Sequence, residues 1–159
     1  MRGRDVVALV ALGFVLEVLA GLWPVAGRLF DPLLAIAVLA ALPGRTGTAF
    51  AVALVTGLLA DGWSSRWIGE QALAHLLIAY PLALLGRRVD LLVPLPALLA
   101  FLVATPASWA IGLAVGRLFD APAGAGVGPL TWAAAAAVNG LFGMLLWHVL
   151  RRRDRLAPA

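Results

Sequence analysis

Long apolar stretches, separated only by short polar segments, fill most of the sequence. A transmembrane helix needs about 20 mostly apolar residues, because the hydrocarbon core of a bilayer is about 30 Å thick. Of the 159 residues, 63% are hydrophobic and only 13% are charged, whereas about a quarter of the residues in a soluble domain are charged. The sequence therefore predicts an all-α integral membrane protein with one membrane domain over residues 1–159. It excludes a soluble enzyme, a disordered chain and a nucleic-acid-binding domain.

Six apolar stretches are candidate membrane spans. They run from Val6 to Leu22, Leu29 to Leu42, Thr46 to Ala60, Glu70 to Gly86, Leu91 to Phe119 and Leu130 to Leu150. The fifth contains three prolines and is too short for two helices with a turn, so we expect one tilted and kinked span. The prediction is a compact polytopic bundle of about six transmembrane helices.

The arginines predict the orientation of this bundle, because cytoplasmic loops retain positive charge. Six spans place both termini and two of the loops on one side of the membrane. Nine arginines fall on that side (Arg2, Arg4, Arg45, Arg87, Arg88, Arg151, Arg152, Arg153 and Arg155) and three on the other (Arg28, Arg66 and Arg117). We therefore predict that both termini are cytoplasmic. Trp23, Trp63, Trp67 and Trp132 fall at the predicted outer ends, where interfacial tryptophan is expected.

Polar side chains inside or beside the spans are candidate functional residues, since burying them in a bilayer is costly. The candidates for a partner or ligand site near the outer face are Glu17, Asp61, Arg66, Glu70, Gln71 and His75. Asp61, Arg66 and Glu70 also suit interfacial ion pairs or helix caps. His75 equally suits a hydrogen bond to a neighbouring helix.

Small residues at four-residue spacing form stripes that let helix backbones approach closely. One stripe contains Ala49, Ala53 and Gly57, and a second contains Thr131, Asn139 and Gly143. A third contains Ser108, Gly112 and Gly116. These faces predict either packing within the bundle or docking of partner helices.

The sequence contains no recognisable catalytic or metal-binding motif. Cysteine and lysine are absent, so neither a thiolate site nor a phosphate-binding loop with its lysine is present. The two histidines lack the spacing of a zinc motif. Asp61 and Glu70 could in principle form an acid–base pair, but we expect a protein without enzymatic activity, cofactor or metal.

The segment from Gly57 to Arg88 resembles the central part of the MreD family, small membrane proteins of the bacterial rod-shape complex. The resemblance consists of an apolar helix ending in Leu-x-Asp, a short loop with Gly, and an Ala-Leu helix ending in a basic pair. The matching residues are Gly57, Leu59, Asp61, Gly69, Ala72, Leu73, Tyr80, Arg87 and Arg88. Thr131, Asn139 and the run Arg151 to Arg153 are similar to the last helix and basic tail of that family.

The resemblance implies a non-enzymatic scaffold in the bacterial cytoplasmic membrane that supports peptidoglycan synthesis and cell shape. It implies a bitopic MreC-like partner and, through the complex, RodA, a class B penicillin-binding protein and MreB. Arg87, Arg88 and Arg151 to Arg153 would form a cytoplasmic basic rim, which also suits binding to anionic lipid headgroups.

A substrate-binding component of an energy-coupling-factor vitamin transporter is the alternative. Those proteins are similarly small, have about six helices and look structurally close to the MreD family. A pocket built from Glu17, Asp61, Glu70 and Gln71 would suit a small ligand near the outer face. The Ala-x-x-x-Ala motif expected on their first helix is absent from Val6 to Leu22.

Overall fold

The computed structural model describes residues 3–64, 68–118 and 128–156. All regular secondary structure in these ranges is helical, which confirms the all-α prediction. The helices are α1 (Gly3–Gly21), α2 (Ala26–Leu29), α3 (Pro32–Ala41), α4 (Thr46–Ser64), α5 (Glu70–Gly86), α6 (Pro94–Leu118) and α7 (Pro129–Leu156).

Within the described part of the chain, three helices are long and apolar enough to cross a membrane. The qualifying segments are Thr46–Trp63, Pro94–Leu118 and Pro129–Arg153. Helix α5 is apolar but has only 17 residues. The fifth apolar stretch forms one helix that continues through Pro106, as expected, while Pro94 and Pro96 lie in its first turn, where a missing N–H breaks no helical hydrogen bond.

Helix α3 lies at the centre of the bundle and contacts α1, α4, α5, α6 and α7. All ten of its residues are buried. Its length corresponds to about 15 Å, which is half the thickness of a bilayer core. The second apolar stretch therefore forms a central half-length helix, preceded by Leu29 at the end of α2 and by the junction residues Phe30 and Asp31.

The break between α2 and α3 has a local cause at Asp31 and Pro32. Proline disfavours a helical conformation in the residue before it, and Asp31 has φ −127° and ψ 80°. Its Oδ1 atom then accepts a 2.8 Å hydrogen bond from the backbone amide of Leu34, which caps the first turn of α3. Pro32 occupies the first turn, where it requires no hydrogen-bond acceptor.

Small residues allow α3 to pack tightly against its neighbours. Ala37 and Ala41 of α3 form a buried cluster with four further alanines, Ala49, Ala53, Ala79 and Ala83, from α4 and α5. In a bilayer, association of helices depends on such close van der Waals packing rather than on the removal of apolar surface from water. A larger cluster around Leu39, Phe101 and Trp147 fills the other side of α3.

The start of α1 and the end of α7 lie side by side. Nη1 of Arg153 is 3.1 Å from Oδ1 of Asp5. At the connection between α4 and α5, the loop at Gly69 lies against Asp61 of α4. Helix α6 and the start of α7 meet through an edge-to-face contact between Trp109 and Trp132, with ring centroids 5.5 Å apart.

Candidate functional site: two polar clusters between helices

Two groups of polar side chains lie between the helices. The first, the α5 cap, consists of Asp61 and the backbone of residues 69–72. The second, the α3 junction, consists of Glu17, Asp31, Thr56, His75 and Asn139. Thr56 and His75 are fully buried, and Asp61 and Asn139 are each only 3% exposed. Polar groups at such depth require hydrogen-bond partners, because an unpaired polar group away from water is costly.

In the α5 cap, Asp61 provides the hydrogen-bond acceptors that Gly69, the residue before α5, cannot provide. Gly69 precedes the helix with φ +102° and has no side chain to act as a cap. The carboxylate of Asp61, from α4, takes over this role. It accepts hydrogen bonds from the backbone amides of Gly69 (2.8 Å), Gln71 (2.8 Å) and Ala72 (3.2 Å). These donors belong to the amides that a helix N-terminus leaves unpaired, and the negative charge also suits the helix dipole.

Close contact of α4 and α5 brings the carboxylate to this position. A Cβ atom at Gly57 would lie against the backbone of Ala72, only 2.6 Å from its nitrogen. Backbone atoms within a helix cannot move aside as a flexible side chain can. Glycine at position 57 therefore sets the spacing between the two helices one turn before Asp61.

Glu70 lies in the first turn of α5 and is buried, with 7% exposure. A Cβ atom at Gly112 of α6 would be 2.8 Å from Oε1 of Glu70. The glycine of the third small-residue stripe thus makes room for a carboxylate from a neighbouring helix. Arg66, which the sequence places in the same predicted cluster, lies outside the described residues, as does Trp67.

The α3 junction is held by Asn139 of α7. Its Oδ1 atom accepts a 2.8 Å hydrogen bond from the backbone amide of Asp31, and its Nδ2 donates to the carbonyl of Leu29 at 3.0 Å. Both backbone groups lose their helical partners at the break between α2 and α3. A non-helical backbone at membrane depth is tolerated only where protein groups satisfy it, and the side-chain amide of Asn139 has the donor and the acceptor that this requires.

His75 of α5 is another member of the α3 junction. Its Nδ1 is 3.0 Å from Oγ1 of Thr56 on α4, and that hydroxyl donates to the carbonyl of Ala53 at 3.2 Å. Its Nε2 is 4.0 Å from Oδ2 of Asp31. The expectation that His75 is hydrogen-bonded to a neighbouring helix is met by Thr56.

Glu17 of α1 is the third ionisable group of the junction and lies within electrostatic range of Asp31. Within the described residues, Oε2 of Glu17 and Nε2 of His75 are buried without a hydrogen-bond partner. The junction therefore combines two carboxyl groups and an imidazole, contributed by three different parts of the chain. No group of three His, Cys, Asp or Glu side chains in the described ranges is arranged to hold a metal ion.

Ala49, Ala53 and Gly143 of the predicted small-residue faces pack against helices of the same chain. Ala49 and Ala53 belong to the alanine cluster with α3 and α5. Gly143 of α7 is buried, and a Cβ atom there would lie against the ring of Phe101, 2.5 Å from Cγ. Thr131 lies in the first turn of α7, where its backbone amide donates to the carbonyl of Gly128.

The predicted basic rim is distributed over two regions. Arg87 and Arg88 are exposed and line an open cavity of about 330 Å³ together with Pro43 and Leu92. On α7, the guanidinium of Arg151 lies over the ring of Trp147, 4.9 Å from its centroid, in a cation–π contact. Arg153 pairs with Asp5, and Arg152 is exposed.

Asp31 and Thr56 belong to the junction although sequence reasoning did not select them. The dipeptide Asp31-Pro32 is a recognisable start signal for a helix, so the cap at α3 could have been found. Nothing local indicates that Thr56 meets His75, because 19 residues separate them and the contact depends on the pairing of α4 with α5.

The fold and the two clusters define a helical protein with membrane-type helices and polar contacts between them. No protein-family model, no curated protein and no solved structure matches the chain.

Proposed function

We propose that this protein is a multi-pass, non-enzymatic scaffold of the bacterial cytoplasmic membrane, a subunit of the rod-shape complex of the MreD type. In this proposal the chain crosses the membrane about six times, with both termini in the cytoplasm. It binds a bitopic MreC-like protein and thereby supports RodA, a class B penicillin-binding protein and MreB in peptidoglycan synthesis.

One observation carries the proposal. Four residues of the MreD-like segment, Gly57, Asp61, Gly69 and Ala72, contact one another at the α4–α5 hairpin. Asp61 binds the amides of Gly69 and Ala72, and Gly57 permits the approach of Ala72. The resemblance therefore rests on residues that build one structural unit rather than on scattered matches in two apolar helices.

The polar interior fits a scaffold for a second reason. Asp61 and Asn139 both bind backbone groups of other segments. Asp61 accepts hydrogen bonds from three amides, and Asn139 binds one amide and one carbonyl. Such bonds hold the helices in one arrangement and leave a fixed outer surface on which a partner helix can dock. The contact between Asp5 and Arg153 supports the placement of both termini on one side.

Co-purification tests this function. The chain is co-expressed with the MreC-like protein of the same genome and, as a control, with an unrelated single-span protein carrying the same tag. We expect a stable complex in mild detergent with the MreC-like protein only. A chain that remains monomeric beside that partner would contradict the proposal.

The vitamin-transporter component remains the second candidate, because the α3 junction contains the unpaired Oε2 of Glu17 in its interior. Polar groups of this kind are typical of a site for a small ligand. A panel of vitamins should then raise the melting temperature of the purified protein, and Glu17→Gln should reduce that rise. Absence of any rise across the panel would contradict this candidate.

A further inference from the structure

The α3–α4 connection and the end of α5 meet at two glycines. A Cβ atom at Gly44 would lie 2.7 Å from the carbonyl carbon of Gly86, and one at Gly86 would lie 2.7 Å from the carbonyl oxygen of Leu42. Gly44 also has φ +72°, a conformation that residues with a side chain rarely adopt. The α3–α4 and α5–α6 connections are therefore held together by direct contact of their backbones.

An open cavity, the loop cavity, lies beside this contact. Its volume is about 330 Å³, and its walls come from both connections, with Leu42 and Pro43 on the first and Arg87, Arg88 and Val89 on the second. Small-molecule pockets in proteins have volumes of about 300–1,000 Å³. The loop cavity is therefore large enough for a small polar group such as a lipid headgroup.

The guanidinium groups of Arg87 and Arg88 are available to a ligand. Both side chains are exposed. The carbonyls of Leu84 and Leu85 at the end of α5 accept hydrogen bonds from the backbone amides of residues 87–89, so the helix end does not need the arginine side chains as caps. Within the part of the chain that the structure describes, neither arginine takes part in an ion pair or a cation–π contact.

The charge at the loop cavity favours an anion. Asp90 also lines the cavity, but its Oδ1 atom accepts a 2.9 Å hydrogen bond from the amide of Leu92. Arg45, which is exposed and lies two residues after Pro43, adds a further positive charge to the same end of the bundle. Guanidinium groups bind phosphate oxygens through paired, charge-assisted hydrogen bonds. A phosphate group therefore has the chemistry that these side chains recognise.

Apolar surface continues from the loop cavity along two adjacent helices. On α5, Leu84 is exposed one turn before Arg88. On α6, which contacts α5, exposed apolar side chains repeat every four residues at Leu95, Leu99 and Val103. A phosphate that carries acyl chains can use this surface together with the arginines, whereas a free phosphate ion can use the arginines alone.

We propose that the loop cavity binds the phosphate headgroup of an anionic phospholipid, with Arg87 and Arg88 on the phosphate oxygens and the acyl chains along α5 and α6. Basic pockets between membrane helices bind such headgroups in other proteins. The bound lipid joins the α3–α4 and α5–α6 connections, so the stability of the protein depends on the lipid composition. This site goes beyond the scaffold function and lies outside both polar clusters.

Native mass spectrometry and thermal unfolding of the delipidated protein in mild detergent test the site. The probes are phosphatidylglycerol, which is anionic, phosphatidylethanolamine, which carries a phosphate but no net charge, and inorganic phosphate, which lacks acyl chains. We expect phosphatidylglycerol to bind most tightly and to raise the melting temperature most. An equal rise with inorganic phosphate would overturn the assignment to a lipid.

Variants locate the site. Arg87→Gln combined with Arg88→Gln should weaken phosphatidylglycerol binding about tenfold or more, because charge-assisted hydrogen bonds are lost. The lysine pair at the same positions keeps the charge but loses the paired donors, so its affinity should be intermediate. The control combines Arg4→Gln with Arg117→Gln, which removes the same charge from exposed positions outside the loop cavity. It should bind the lipid as the parent does.

Two further results would overturn the inference. One is equal binding of phosphatidylglycerol and phosphatidylethanolamine by the parent. The other is an Arg87→Gln/Arg88→Gln variant that binds phosphatidylglycerol as well as the control does. If the double variant does not fold, the two single variants carry the same comparison. All of these measurements use the isolated protein, so they do not depend on whether the MreC-like partner binds.

Discussion

The carboxylate of Asp61 on α4 accepts a 2.8 Å hydrogen bond from the backbone amide of Gln71, ten residues later and in the first turn of α5. The helix cap of α5 is thus supplied by the preceding helix, because Gly69 has no side chain for this purpose. This relationship makes the α4–α5 hairpin a single unit, and its loss should be measurable.

Replacement of Asp61 by Ala should lower the free energy of unfolding by about 1–3 kcal/mol, since it leaves amides near the start of α5 without their acceptor. Asp61→Asn keeps one acceptor oxygen, so its free energy of unfolding should lie between those of Asp61→Ala and the parent. Thermal unfolding in detergent measures the effect. Asp90→Ala is the control, because Asp90 accepts from a single amide at an exposed position. Equal losses for Asp61→Ala and Asp90→Ala would contradict the capping role.

Replacement of Gly57 by Ala should destabilise the protein by about 1–3 kcal/mol, because the added methyl group meets the backbone of Ala72. Gly62→Ala is a matched control on the same helix, where a Cβ atom meets nothing within 4 Å. That control should be neutral or stabilising by up to about 1 kcal/mol, since alanine favours a helix more than glycine does. If both variants unfold at the parent temperature, the close approach of α4 and α5 is wrong.

Replacement of Asn139 by Ala should cost about 2 kcal/mol or more, because it leaves the amide of Asp31 and the carbonyl of Leu29 without partners. Hydrogen exchange at the Asp31 amide should become faster than in the parent. Leu141→Ala on the same helix, with a side chain that is 72% exposed, provides the control. Unchanged hydrogen exchange at the Asp31 amide in the Asn139→Ala variant would contradict the proposed role of Asn139 at the break between α2 and α3.

Single cysteines can establish the proposed orientation, because the chain contains none of its own. Gly47 and Gly62 lie near opposite ends of α4, and a Cβ atom at either position meets nothing within 4 Å. In intact cells, a membrane-impermeant maleimide should label Gly62→Cys and leave Gly47→Cys unlabelled until the membrane is opened. Labelling of both variants from outside would show that α4 does not cross the membrane in the proposed way.

The α4–α5 hairpin shows how far the sequence leads. The apolar stretch from Glu70 to Gly86 coincides with helix α5, because a loop with Gly69 precedes it and a glycine with a basic pair ends it. The possible role of Asp61 as a helix cap was also accessible, since it sits beside a turn. The identity of the capped amides was not, because it depends on the angle and spacing at which α4 meets α5.

The α3 junction shows where the sequence alone stops. Asp31 and Asn139 are separated by 108 residues, yet a hydrogen bond joins them. The stripe containing Asn139 predicted a packing or partner face without indicating its neighbour. Similarly, an apolar stretch from Leu29 to Leu42 does not distinguish a short span from a buried half-length helix, since both need the same composition.

The sequence by itself determined the class of this protein: an all-helical chain whose apolar content suits a membrane. Composition and periodicity are enough for that, because backbone groups in an apolar medium must bond locally and therefore form helices. Only the tertiary structure decided which polar side chain meets which backbone group. Asp61, His75 and Asn139 acquired their roles from helix packing, and contacts across helices depend on distances that no stretch of sequence specifies.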